Sequence, residues 1–115
     1  MGRKRRSEQK PLVKNQSIFD SELLKEWSRK QSEQSDRALG WDTKSEEGYS
    51  SAGKYLSINS FGHTGYTGTS IWIDKDNNLF VILLSNRVHP TRNNRKIVDF
   101  RPLIHDAVFE CYILN

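Results

Sequence analysis

The chain has 115 residues, 35% of them hydrophobic and 28% charged, with a formal net charge of +4. That length admits one small domain with a modest core, and the lone cysteine, Cys111, excludes an internal disulfide. The longest apolar run, Leu79–Leu84, falls far short of the roughly 20 residues that a membrane-spanning helix needs.

The charge is concentrated at one end. Residues 1–30 hold nine Lys or Arg against four Asp or Glu, an excess larger than that of the whole chain, so residues 31–115 are slightly acidic. Residues 1–16, with the run Gly2–Arg6 (Gly-Arg-Lys-Arg-Arg), read as a basic, disordered leader. The rival reading is a nucleic-acid-binding patch, but no aromatic residue interleaves with these charges to stack on bases. No apolar segment follows the basic start, so no secretory signal is read and the compartment stays open.

Phe19, Leu23, Leu24 and Trp27 form one helical stripe running to about Gln31, with Asp20 or Ser21 as N-cap. Residues 32–53, rich in Ser, Gln, Glu and Gly, read as loop, within which Arg37–Asp42 (Arg-Ala-Leu-Gly-Trp-Asp) is an apolar-aromatic patch expected to dock onto the fold. Tyr55–Gly65 has extended character, and Thr69–Asp74 and Leu79–Ser85 are strands joined by the polar turn Lys75–Asn78. In the last strand Phe80, Ile82 and Leu84 point one way and Leu79, Val81 and Leu83 the other, so both faces need cover. Arg87–Arg95 reads as a basic loop, and its arginines as a solvated cluster in preference to an anion site. Pro102 fits the first turn of a final helix. Leu103, Ile104, Ala107, Val108 and Cys111 are its expected buried face, continued by Leu114, with His105-Asp106 at the surface. The inventory is a mixed α/β (α+β) fold: about three antiparallel strands flanked by an N-terminal and a C-terminal helix. Its core would be small and its strand edges open, so it reads as part of a larger sheet.

The run Ser60-Phe-Gly-His63-Thr64-Gly65-Tyr66-Thr67-Gly68-Thr69-Ser70-Ile-Trp-Ile-Asp74 resembles the K-T-G element of penicillin-recognising serine hydrolases, with His in place of Lys. The likeness continues through Leu79–Asn86 and Arg87–Arg92 and reaches back to Arg37–Asp42. Over roughly residues 19–114 the chain is similar to the C-terminal part of the class C β-lactamase, esterase and D-alanyl peptidase-like group. The resemblance implies residues 17–115 as the C-terminal segment of that hydrolase domain, with the terminal helix on one sheet face and a helical domain on the other. No cofactor and no metal are expected, and relatives of this kind are often exported.

Acyl transfer through a tetrahedral intermediate needs donors aimed at the developing oxyanion, and a strand edge offers N–H groups at fixed spacing. By resemblance the Tyr66 N–H is one oxyanion donor, the other belonging to the nucleophilic serine. His63 and Thr64 then face the acyl or carboxylate end of the substrate, with Thr67 and Gly68 completing the binding edge. Gly65 and Gly68 are expected to let a substrate backbone approach closely. An imidazole in place of Lys replaces a permanent cation by a switchable one, which moves the expectation from β-lactam cleavage toward peptidase or esterase chemistry.

The nucleophile is harder to find. Ser51-Ala-Gly-Lys54 is formally S-x-x-K and Ser57-Ile-Asn59 formally S-x-N. Yet thirteen serines and nine lysines make about one S-x-x-K by chance. The segment also carries Gly53 and runs into extended chain, where the motif needs a helix start with the lysine one turn on. Ser51 is therefore rejected, and neither the S-x-x-K nor the Y-x-N element is identified. His63, His89 and His105 lack metal-ligand spacing, and Gly62, Gly65 and Gly68 precede a strand, so they make no phosphate loop. The expected function is a segment of a serine hydrolase acting on an amide or ester, inactive alone and partnered by the missing N-terminal portion. The alternatives are a non-catalytic binding module of the same fold and, further off, a basic nucleic-acid binder.

Overall fold

The computed structural model describes Leu12–Val13 and residues 16–115. The leader assigned to residues 1–16 lies mostly outside the described residues. At its end β1 (Leu12–Val13) pairs antiparallel with β2 (Gln16–Ser17) as a separate two-stranded ribbon that runs one residue past it. The main sheet has four antiparallel strands in the order β3 (Asp42–Thr43), β4 (Phe61–Thr64), β5 (Ser70–Asp74) and β6 (Leu79–Leu83). Helix α1 (Ser21–Ser28) precedes the sheet and α2 (Lys96–Phe109) follows it, ending in a wider π-helical turn over Glu110–Leu114. The architecture is the expected mixed α/β fold, with the short strand β3 added to the three expected in the main sheet and the β1–β2 ribbon outside it. No helix among the described residues is long and apolar enough to cross a membrane.

Register divides the sheet into two faces. Trp72 lies opposite Gly62 and Val81, and Ile71 opposite His63 and Ile82. One face therefore carries Gly62, Thr64, Ser70, Trp72, Asp74, Leu79, Val81 and Leu83, and the other Phe61, His63, Ile71, Ile73, Phe80 and Ile82. The first packs on α2 and on the loop at Ser51–Leu56, where Ala52, Leu56, Trp72 and Phe109 make the buried cluster with Tyr55 and Leu79 against it. The indole of Trp72, 2% exposed, occupies the space beside Gly62: a Cβ there would stand 2.5 Å from the ring. On the second face Phe80 and Ile82 are 66% and 55% exposed.

Asp74 ties the turn to the loop before β4. Its carboxylate, fully buried, accepts from Ser57 N (2.9 Å), Ser57 Oγ (2.8 Å), Asn77 N (3.2 Å) and Asn77 Nδ2 (2.8 Å). Burial alone would raise its pKa, but these hydrogen bonds outweigh it and hold the group below the ordinary carboxylate value. The patch at Arg37–Asp42 docks as expected. Ala38 is buried, Arg37 bridges to Asp42, and Trp41 meets Phe61 edge-on at 5.2 Å between centroids.

The two helices depart from expectation. In α1 the N-cap is Asp20, whose side chain accepts from Glu22 N and Leu23 N. Phe19, Leu23 and Trp27 stay exposed, however, and Ser28 is the buried residue. Helix α2 begins at Lys96, so Pro102 sits in its interior and not in its first turn. Its buried residues are Arg101, His105 and Phe109, spaced by four; Leu103, Ala107, Cys111 and Leu114 are exposed, and Ile104 and Val108 half-buried. The helix is turned this way because polar anchors hold it. His105 Nδ1 donates to Ser51 O (2.6 Å), and Asp106 Oδ1 accepts from Lys54 N (2.8 Å) and Tyr55 N (3.2 Å). His105 is thus buried, not at the surface. Proline at 102 cannot donate to the carbonyl of Val98, and the Tyr49 hydroxyl donates to it instead (2.6 Å).

Candidate active site

Strand β4 is paired unequally along its length. Strand β3 covers it only at Phe61 and Gly62, so beside His63 and Thr64 that edge is open among the described residues. His63 is exposed on the face opposite Trp72. A carbonyl only accepts, so Nδ1 of His63, 2.9 Å from Thr64 O, carries the proton and leaves Nε2 of the neutral ring as an acceptor.

Beyond Thr64 the chain turns tightly before re-entering the sheet. Gly65 N donates to Thr69 O (2.7 Å) and Gly68 N to Gly65 O (3.0 Å). Gly68 adopts φ +98°, open to glycine and strained for any side chain, and a Cβ there would lie 2.4 Å from Ser85 Oγ. At Gly65 a Cβ would lie 2.3 Å from Thr69 Oγ1. Gly68 is thus required by the backbone of the turn itself, while a side chain at Gly65 would have to displace the Thr69 hydroxyl; the expectation of close substrate approach included neither constraint.

Two arginines hold this turn from behind. Arg101 Nη2 donates to Gly65 O (3.1 Å) and Thr69 O (3.2 Å). Arg87 Nε donates to Tyr66 O (2.8 Å), its backbone N to Thr67 O (2.9 Å), and its guanidinium lies 4.6 Å from the centre of the Tyr66 ring. The carbonyls of Gly65, Tyr66, Thr67 and Thr69 are therefore occupied, while the Tyr66 N–H donates to no acceptor among the described residues. Tyr66 and Thr67 are exposed, Thr64 and Gly65 half-buried, and Gly68 buried. The structure thus places His63, Thr64, Gly65, Tyr66, Thr67 and Gly68 on one continuous edge and turn.

Sequence patterning did not reveal Arg101. It lies in the final helix at a position read as lying ahead of it, and its role depends on a turn 32 to 36 residues earlier. Arg87 was visible only as one cation of a basic loop. Ser51 is on the other side of the sheet from His63: its Oγ accepts from Trp72 Nε1 (3.2 Å) and its carbonyl from His105. Lys54 is exposed and lies over the Tyr55 ring at 5.0 Å. The formal S-x-x-K thus serves the packing of the loop against α2.

Comparison with known proteins points the same way. The family model described as Beta-lactamase matches residues 6–104. Proteins named as D-alanyl-D-alanine carboxypeptidases from Salmonella gallinarum and Salmonella typhi are each 31% identical over 84 residues, which is 72% of this chain and 19% of theirs. A β-lactamase crystal structure from Mycobacterium bovis superposes with a TM-score of 0.56 at 28% identity, covering 65% of this chain and 26% of that one. The chain thus spans about a fifth of the length of the curated relatives it matches.

Proposed function

From the premise that this chain belongs to the β-lactamase family of serine hydrolases, we propose that it supplies one wall of a hydrolase active site. That wall is the His63-Thr64-Gly65 strand and the oxyanion edge at Tyr66. The enzyme it serves cleaves an amide or ester, peptide-like in the carboxypeptidase-named relatives, through an acyl-enzyme intermediate. The nucleophilic serine and its lysine come from a portion outside these residues, and the chain alone turns nothing over.

The observation that carries this reading is the free Tyr66 N–H on a turn whose carbonyls are already held by Arg87 and Arg101. A donor fixed before the reaction costs no reorganisation when charge develops on the substrate oxygen. Attack by the serine oxygen on the carbonyl carbon, its proton passing through the accompanying lysine to the leaving group, gives the tetrahedral oxyanion, which accepts from Tyr66 N–H and from the N–H of the serine. Collapse expels the amine or alcohol, and water then hydrolyses the acyl-enzyme. His63 and Thr64, on the open stretch of β4, would meet the substrate through the exposed imidazole and the strand edge.

The test is covalent. The full chain incubated with a fluorophosphonate or a penicillin-type probe keeps its mass. A stoichiometric adduct on any of its serines would overturn the claim that the nucleophile lies elsewhere.

A further inference from the structure

Behind the site turn lies a cleft of about 490 Å³ lined by Gly65, Tyr66, Arg87, Arg92, Arg95 and Arg101, with Asn93, Ile97 and Val98 closing it. Four arginines line it, and no carboxylate does. None of the four forms an ion pair among the described residues, where the ion pairs of arginine involve Arg29 and Arg37. The first turn of α2 opens on the same cleft, and its N-cap residue, Arg95, makes no side-chain cap.

A second observation distinguishes this from a solvated basic loop. Arg101 is 7% exposed, and its Nε is buried without a hydrogen-bond partner. A buried cation with an unmet donor and no counter-ion is costly. Burial holds the Arg101 guanidinium below its ordinary pKa, and the neighbouring Arg87 charge adds to the effect. A compact anion in the cleft would supply the counter-charge that the buried Arg101 lacks, relieve its repulsion with Arg87 and complement the helix N-terminus.

We propose that this cleft is an anion site for a phosphate-bearing small molecule. The ligand sits between the basic loop and α2, with Arg92 and Arg95 as its solvent-side grips and Arg101 as its buried one. The volume lies in the range of small-molecule pockets, about 300–1,000 Å³, so it admits a phosphate with an organic group attached. The guanidinium fork suits phosphate and carboxylate oxygens alike, but a cleft lined by four arginines and no carboxylate favours the more highly charged of the two. Because Arg87 and Arg101 also hold the carbonyls of Gly65, Tyr66 and Thr69, occupancy would stiffen the turn that carries Tyr66.

The experiment uses the full chain, with inorganic phosphate as the probe and acetate at matched ionic strength as the comparison, read by titration calorimetry. Saturable phosphate binding is expected, at least about tenfold tighter than acetate. The exposed pair Arg92→Gln and Arg95→Gln should weaken it about tenfold or more while leaving the melting temperature without phosphate unchanged. If that double variant melts lower than the parent, Arg92→Gln alone carries the comparison. Absence of saturable binding, equal affinity for acetate, or undiminished affinity in the variant would each overturn the proposal.

Discussion

At His105 the fold buries a titratable ring whose Nδ1–H donates to Ser51 O and whose Nε2, an acceptor, meets no donor. Burial is the largest influence and lowers its pKa below the ordinary 6.5. The Ser51 hydrogen bond and Asp106 oppose the shift, and Arg101 reinforces it. Above about pH 6.5 the ring is neutral in both folded and unfolded chains, and the residue contributes no pH dependence. Below that value the unfolded chain takes up a proton that the folded chain resists, so stability falls as pH drops. Asp74, also held below its ordinary value, loses its contribution only at more acid pH, which leaves the interval from about pH 6.5 to 5 to His105. Melting temperatures across that interval should therefore decline in the parent and stay nearly level in His105→Gln. An equal decline in both would show that the ring is not the source.

At the scale of elements, α2 is held by polar anchors, and one of them mends a break in its own ladder. Pro102 leaves Val98 O without its helical donor, and Tyr49 supplies one. Tyr49→Phe should cost about 1 kcal/mol, measured by denaturant unfolding; a change under about 0.3 kcal/mol would mean that solvent serves the carbonyl equally well. The same helix marks where legibility ended. The β5–β6 hairpin was readable because its alternation and the polar turn Lys75–Asn78 are local signals. The site strand was readable because its motif is contiguous. The phase of α2 was not, because hydrophobic periodicity selected Leu103, Ala107 and Cys111, while hydrogen bonds to Ser51, Gly65 and Thr69 bring Arg101 and His105 inward. Strand β3, two residues long, has no periodicity to read. Arg101 escaped for a related reason: a buried arginine is defined by distant carbonyls, and nothing beside it in the chain announces them.

Across the whole molecule, one sheet face is filled and the other is bare. Phe80, Ile82 and Leu84 form an exposed apolar row along and just beyond β6, the last strand in the sheet order. Contiguous apolar surface of this kind marks an interaction face or an aggregation hazard. The proposed function assigns it to the remainder of the hydrolase. The chain by itself should bind a hydrophobic dye and associate as concentration rises, as followed by sedimentation. Phe80→Lys with Ile82→Lys should suppress both and shift unfolding free energy by no more than about 1 kcal/mol, since little packing is lost. A parent that stays monomeric and takes up no dye would contradict the assignment.

The interior proline has one more consequence. Without a donor at residue 102, the opening segment of α2, Lys96–Arg101, lacks one link to the turns that follow. Such a segment opens with its own free energy, smaller than that of global unfolding. Arg101, at its end, is also the residue that holds Gly65 O and Thr69 O. Fraying of those six residues would therefore withdraw the hydrogen bonds to Gly65 O and Thr69 O and leave the Tyr66 turn held by Arg87 alone. The rigidity of the candidate oxyanion edge thus depends in part on the opening free energy of a short helical segment in the layer behind it.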